Sequence, residues 1–369
     1  MKKLFVLALC GLFAAGAAEA KTYYVDASRP NNNGNGLKAS TAKKTIQAAV
    51  NLAKDGDTII VYPGEYAPFK TNNKKIAIKS AKGASKTKIV KTAKVQDIAL
   101  AQLGKTWTES YVDTKGRKVT YVSAPRSKGK NTTLAGFLLD GKNRPNGGYT
   151  LLGISGGTVK SCSIQRLGTG EDGGYEVAVN ATLAGCSVLN NHADIADSCV
   201  FSRCRILDND GGRNEDSRFC NCLYAGNKGY GWWGHGAHFA GSVLVNCTIA
   251  RNFAYRESSE DKVPFSSESK FYNCILRNNY RQTKTWEGKT GSATLHNTDS
   301  GNTYSRTYKD NRNPKFVKES SGDYKLAKGS PCINQGTVPA AIKSYVGSVD
   351  LAGAKRIHGA SIDMGCYEY

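Results

Sequence analysis

The 369-residue sequence predicts an all-β solenoid covered at its start by one short helix, and three observations carry that expectation. Six segments fall into register on a cysteine: VKSCSIQRL, LAGCSVLNN, FSRCRILDN, RFCNCLYAGN, VLVNCTIARN and KFYNCILRNN. A unit of about 20 residues with one short apolar strand buries its apolar face only by stacking on its neighbours. Composition agrees, with 40 glycines against 9 prolines. Finally, a helical period is confined to one stretch ahead of the repeats.

At the N-terminus, Lys2 and Lys3 precede an apolar run from Leu4 to Ala18 and the small residues around Ala20. That is the pattern of a secretory signal peptide, residues 1–20, and it predicts a chain that is secreted or associated with the cell envelope. No later run reaches the ~20 apolar residues of a membrane helix. After residue 20 there are 49 basic and 29 acidic groups, and residues 21–130 hold 22 of the former and 7 of the latter. Such a field draws polyanions, here an acidic polysaccharide or an anionic envelope surface. Export argues against a specific nucleic-acid partner. The plainer alternative is a lysine-rich surface that only keeps a monomer soluble.

In STAKKTIQAAVNLAKDGD, Ile46, Ala49, Val50 and Ala53 share one helical face and Gly56 follows the last turn. This amphipathic helix is expected to close the N-terminal end of the stack, whose open edge would otherwise invite pairing. The strand Thr58 to Tyr62 begins the first coil, and residues 108–122 read as a hairpin around Lys115 and Gly116.

The aligned cysteines are Cys162, Cys186, Cys204, Cys222, Cys247 and Cys274, separated by 24, 18, 18, 25 and 27 residues. The changing separation predicts loops of variable length on one side of the coils, where a site would lie. Strand alternation in VLVNCTI puts Val243, Val245, Cys247 and Ile249 towards the core. Equivalent cysteines then stack ~4.8 Å apart, pointing the same way, which is poor geometry for disulfides. The column reads as buried thiols acting as small hydrophobes, since metal ligands converge on a point instead of stringing along an axis. Asn190, Asn209, Asn227, Asn252 and Asn278 suit turns in which an amide satisfies backbone groups. The period lasts to residue 313, and residues 314–369 are expected to pack over the far end as a C-terminal cap.

YYVDAS, TIQAAVNLAKDGDTIIVYPGEY, the NCTI coils, GDYKLAKGSPCINQG and IDMGCYEY together resemble secreted bacterial right-handed parallel β-helix repeat proteins of pectate-lyase-like fold. The resemblance spans nearly all of residues 22–369. It implies architecture and export more strongly than activity, because the family is functionally mixed. Cys366 stands where the family pattern has a small residue and Cys332 lies in the other terminal motif, so a Cys332–Cys366 disulfide is an expectation.

The longest polar and aromatic interruption is GNKGYGWWGHGAHFAG, residues 226–241. Tyr230, Trp232 and Trp233 offer faces on which sugar rings stack, and Lys228, His235 and His238 can bind carboxylates or move protons. Alternatively, Trp232 and Trp233 fold back on the coil as a satellite core and the histidines are solvated. Asp208 and Asp210, with Glu171 and Asp172 of the earlier TGEDGG, supply the hard oxygen ligands that Ca²⁺ takes, or are solvated turn residues. The resemblance implies β-elimination on an acidic polysaccharide. In that reading Lys228 is the base, Arg251 or Arg256 neutralises the substrate carboxylate, and Asp208 and Asp210 hold Ca²⁺. The competing expectation is a non-catalytic surface rod or adhesin.

Overall fold

A computed structural model describes residues 19–92, 99–104, 107–112, 116, 118–123, 132–143, 151–168, 175–211, 213–231, 238–256, 266–284, 290–294, 303–305, 307 and 313–369. The chain winds as a right-handed parallel β-helix with three faces. Among the described residues, a first sheet of 11 strands runs from Thr22–Val25 to Thr303–Ser305, and a second of nine from Gly64–Tyr66 to Ile275–Arg277. The third begins at Phe69–Lys70 and ends with Tyr280–Lys284 paired antiparallel to Thr290–Thr294. Trp107–Val112 and Lys118–Ser123 form the antiparallel hairpin read at 108–122.

SVLVNCTIARN is two strands on two faces, where alternation along one strand was expected. Val243–Val245 belongs to the first sheet and Thr248–Ala250 to the second. Asn246 joins them in a left-handed conformation, φ 52°. That single corner residue shifts the phase: Leu244, Cys247 and Ile249 enter the core, while Val243 and Val245 point outward against the C-terminal segment. A left-handed residue recurs at each corner, a conformation that asparagine and glycine tolerate best.

Behind each corner an inward side chain repeats from coil to coil. After the first sheet it is cysteine: the six aligned thiols are at most 3 % exposed and unbridged, and the Cys247 Sγ lies 3.4 Å from the Phe219 carbonyl of the preceding coil. After the second sheet it is asparagine, though not at all the positions expected. Asn190 and Asn278 are the left-handed corner residues, and Asn191, Asn209, Asn227, Asn252 and Asn279 form the buried column. Each Nδ2 donates to the next Oδ1 at 2.8–3.0 Å. After the third sheet Ser217, Ser242 and Ser269 do similar work, each Oγ accepting a backbone N–H from the coil before.

The helix Ile46–Leu52 packs Ile46, Ala49 and Val50 into the main core against the first strands. Thr45 caps its start by accepting the Ala48 N–H, and the Lys74 Nζ donates to the Val50 and Ala53 carbonyls at its end, where the helix dipole favours a cation.

The C-terminal segment lies along the flank instead of only over the far end. Its Ile342, Val346 and Ile362 bury against Cys220 and Val245, and Tyr324, Cys366 and Tyr367 against Leu223, Ala225 and Ala250. Asn221 donates to the Val346 carbonyl and Asn273 accepts the Thr337 N–H, so the corner between the first two sheets is its seat. Outward-pointing Val245, Leu223, Ala225 and Ala250 give the segment an apolar surface to cover. The expected Cys332–Cys366 disulfide is absent: both cysteines are unbridged and pack in separate clusters. No helix of the described residues is long and apolar enough to cross a membrane.

Candidate functional site on the third sheet

The C-terminal segment covers the outer faces of the first and second sheets over the later coils, which leaves the third sheet to carry their exposed polar groups. The coil-length variation also falls there. Extra residues enter between a second-sheet strand and the next first-sheet strand, as between Ser163–Gln165 and Thr182–Ala184 or between Leu223–Ala225 and Val243–Val245.

Register builds one column across this face. His192 pairs with Asp210, Asp210 with Lys228, Lys228 with Phe253, and Phe253 with Tyr280. Lys228 is exposed. The Asp210 carboxylate lies 3.5 Å from the His192 Nδ1. The sheet then forks, because His192–Asp197 pairs with both Asp210–Gly211 and Asn214–Glu215. One branch continues to Lys228–Gly231 and the other to Phe239–Ala240, so the aromatic interruption issues from the fork.

The expected site residues separate. Lys228 and Asp210 are neighbours. Tyr230 sits in register with Tyr255, and Arg256 with Gly231 and Thr283. Asp208 and Arg251 occupy left-handed corner positions between the second and third sheets, φ 54° and 55°. There the Arg251 guanidinium lies close enough to Tyr324 of the C-terminal segment to act on its hydroxyl. Asp208 therefore turns to the corner while Asp210 meets His192. Trp232, Trp233, His235, Glu171 and Asp172 lie outside the described residues. Among those described, no group of three or more His, Cys, Asp or Glu side chains is placed to hold a metal ion.

His238 is an interior residue, 0 % exposed. Its Nε2 lies 2.8 Å from the Phe253 carbonyl and so carries the hydrogen, leaving Nδ1 to accept from the Tyr224 hydroxyl at 3.0 Å. Asn214 Nδ2 in turn donates to that hydroxyl and to the His238 carbonyl. With both nitrogens engaged in the core, His238 cannot take the catalytic contact with substrate expected of it; it holds the fork together.

Four carboxyls complete the face. Glu176 pairs with Asp194, and Asp197 with Glu215, on adjacent strands. Glu176 is half-buried, and its pKa is raised from 4.5 to about 8, first by burial and then by the charges of Asp194 and Asp197. Burial likewise lifts Asp194 from 3.8 to about 7, against the opposing pull of Arg213. Arg213 is ion-paired to Glu215. The sequence held a signal for these groups: counting back from the next cysteine of the column, ten residues reach Glu176 and Asp194, and seven reach Asp197 and Glu215.

No family model and no curated protein matches the chain. Among solved structures, it is similar to pectate lyase Pel9A at 14 % identity over 96 % of this chain and 97 % of that one, TM-score 0.47. It is similar also to a rhamnogalacturonan lyase at 12 % identity over 88 % and 98 %, TM-score 0.49. A third is the A-module of the Azotobacter vinelandii mannuronan C-5 epimerase AlgE4, 12 % identical over 79 % and 98 %, TM-score 0.35.

Proposed function

We propose that the outer face of the third sheet binds an acidic polysaccharide and breaks its glycosidic bond by β-elimination. The observation that supports this is the placement on one sheet of two carboxyls that keep protons near neutral pH, Asp194 two strands and Glu176 three strands from the exposed side chain of Lys228. Two strand spacings and two residues along the strand put the Asp194 and Lys228 backbones about 12 Å apart, a gap that the long lysine side chain narrows to the width of one sugar ring. A neutral carboxyl donates a hydrogen bond to a substrate carboxylate where an ionised one would repel it. Relieving that charge makes the neighbouring C5 proton more acidic. Lys228 acts as the base that removes that proton, the C4–O4 bond breaks as the C4=C5 bond forms, and the departing oxygen takes a proton from the carboxyl pair. No step runs through Ca²⁺, because Asp208 and Asp210 face different neighbours.

A second reading is favoured by the same cluster: Glu176 as acid and the Asp197–Glu215 pair as base or nucleophile are the groups that hydrolysis uses. Polygalacturonate, alginate and glycosaminoglycans, each with and without Ca²⁺, separate the readings. Elimination gives unsaturated uronides, seen by their ultraviolet absorbance, and Lys228→Ala abolishes them. New reducing ends without that absorbance assign hydrolysis. Binding with neither product leaves a non-catalytic rod, and absence of binding to all three polymers removes the polysaccharide reading.

A further inference from the structure

The basic excess of residues 21–130, 22 groups against 7 acidic ones, plays no part in the third-sheet site. Some of it lines up on the first sheet. Register sets Tyr24, Ile60, Lys79, Ala135 and Lys160 in one row on successive coils, pointing outward because their strand neighbours, such as Ile78 and Val159, fill the core. The row beside it holds Thr58, Ala77, Thr133 and Thr158, so neither row carries an acidic side chain over these coils. Lys79 and Lys160 are exposed, and their ammonium groups meet no partner among the described residues. Two residues along from Ile60, Tyr62 brings its ring to 6.3 Å from that of Tyr24 at an interplanar angle of 22°. Both tyrosines are half-buried. The first row runs on through Ala184 and Ser202 to Cys220 and Val245, where the C-terminal segment lies on it. Residue type follows that cover: small and apolar beneath the segment, cationic and aromatic where solvent reaches.

We infer that the outer face of the first sheet over the early coils is a second, anchoring seat for an acidic polysaccharide, with one sugar ring on Tyr24 and Tyr62 and carboxylates further along the polymer paired to Lys79 and Lys160. This rests on the polysaccharide reading above for its ligand class alone and uses none of the third sheet's residues. Tyr24 to Lys79 and Lys79 to Lys160 are each two coil spacings, about 10 Å. Two linked pyranose rings laid along the axis cover a similar length, so an extended uronan meets an aromatic face or an ammonium at every second sugar. The tyrosine rings take the apolar C–H face of a pyranose. Thr133 and Thr158, beside the lysine row, carry hydroxyls that both donate to and accept from sugar hydroxyls. With no carboxylate in either row, nothing repels the polymer's own charge. A lysine face that served only solubility would need neither the aromatic pair at its end nor the regular gap between its charges.

Affinity electrophoresis of the full chain through gels containing polygalacturonate, repeated over a series of salt concentrations, tests this. Lys79→Ala combined with Lys160→Ala is expected to weaken binding about tenfold at low salt and to make it less steeply salt-dependent, while Lys79→Arg with Lys160→Arg restores both. Tyr24→Ala should weaken binding too, and Tyr24→Phe restore it. Thermal unfolding of the double lysine variant should match the parent, since both side chains are exposed and unpaired. If that variant binds as the parent does while Lys228→Ala binds weakly, the seat is overturned and the third-sheet reading stands. If it binds weakly while the parent yields neither unsaturated uronides nor new reducing ends, the seat stands and cleavage falls. A parent that binds no polyuronate removes both. Binding of a single-stranded oligonucleotide in place of polyuronate, lost in the same variant, overturns the ligand class.

Discussion

Glu176 shows what the solenoid can do to one residue. On an isolated strand its carboxyl would be ionised at neutral pH; stacked on Asp194, near Asp197 and half-covered, it holds its proton to about pH 8. The sign of the consequence follows from linkage. Because the folded state binds this proton more tightly than the unfolded chain, the contribution to stability is complete below the ordinary value of 4.5 and is lost as pH rises towards about 8. Denaturant midpoints measured from pH 5 to pH 9 should therefore fall for the parent, and Glu176→Gln should flatten that slope. The same substitution should remove the weakening of oligouronide binding expected as Glu176 ionises. An unchanged slope in Glu176→Gln would place the proton elsewhere. Little of this was legible in the sequence. Lys228 and Asp210 stood out because they lie in obvious interruptions, whereas Glu176 and Asp194 sit inside strands and become a pair only once two successive turns of chain have been superposed. His238 stood out wrongly for the converse reason: a histidine in a glycine-rich run reads as exposed, and only the fork in the sheet explains why it is 0 % exposed.

At the scale of the coil, the corners matter more than the strands. Three-residue strands such as Thr248–Ala250 have too few ladder bonds to hold a register alone, and the side-chain columns behind the corners supply the rest. Asn227 occupies the middle of one such column. Its Oδ1 accepts from the Asn209 N–H and Nδ2, and its Nδ2 donates to the Ile206 carbonyl and the Asn252 Oδ1. Asn227→Ala strands these partners in the core, and at about 1–3 kcal/mol for each buried polar group left unmade the loss should be on the order of 3 kcal/mol or more in equilibrium unfolding. A loss below about 1 kcal/mol would mean that the column is ornamental, since that is the worth of an ordinary exchangeable hydrogen bond. The recurrence of cysteine and asparagine made the coils readable, because both fill fixed inward positions. The phase of the strands was not readable, because a period of two assumes continuous extended backbone and each left-handed corner inserts one residue that breaks it. That is why Val245 was expected inside and is found beneath the C-terminal segment.

For the whole molecule, the decisive quantity is where the ten cysteine sulfurs after residue 20 sit. Export, which the N-terminal pattern predicts, would ordinarily make bridges of the ten cysteines that follow residue 20. Here all ten are buried thiols, six in one column and the rest in positions of the same kind, Cys199 heading the serine column and Cys220, Cys332 and Cys366 beneath or within the C-terminal segment. Burial raises the Cys162 and Cys220 thiols to about 12 and that of Cys366 to about 11, so the thiolate that reacts with electrophiles is scarce as well as inaccessible. Stacking explains why neighbours in the column do not couple despite their proximity: the side chains run parallel, and a bridge would require the coils to twist against their own ladders. The chain from residue 21 onward should therefore be silent towards a thiol-alkylating reagent in native buffer and should take up ten equivalents in denaturant without reductant, counted as mass added to the intact protein. Fewer than ten in denaturant would reveal bridges and break the column. Fast labelling without denaturant would mean that the coils open readily, and Lys228 and the carboxyl cluster would then lack the rigid frame on which their shared face depends.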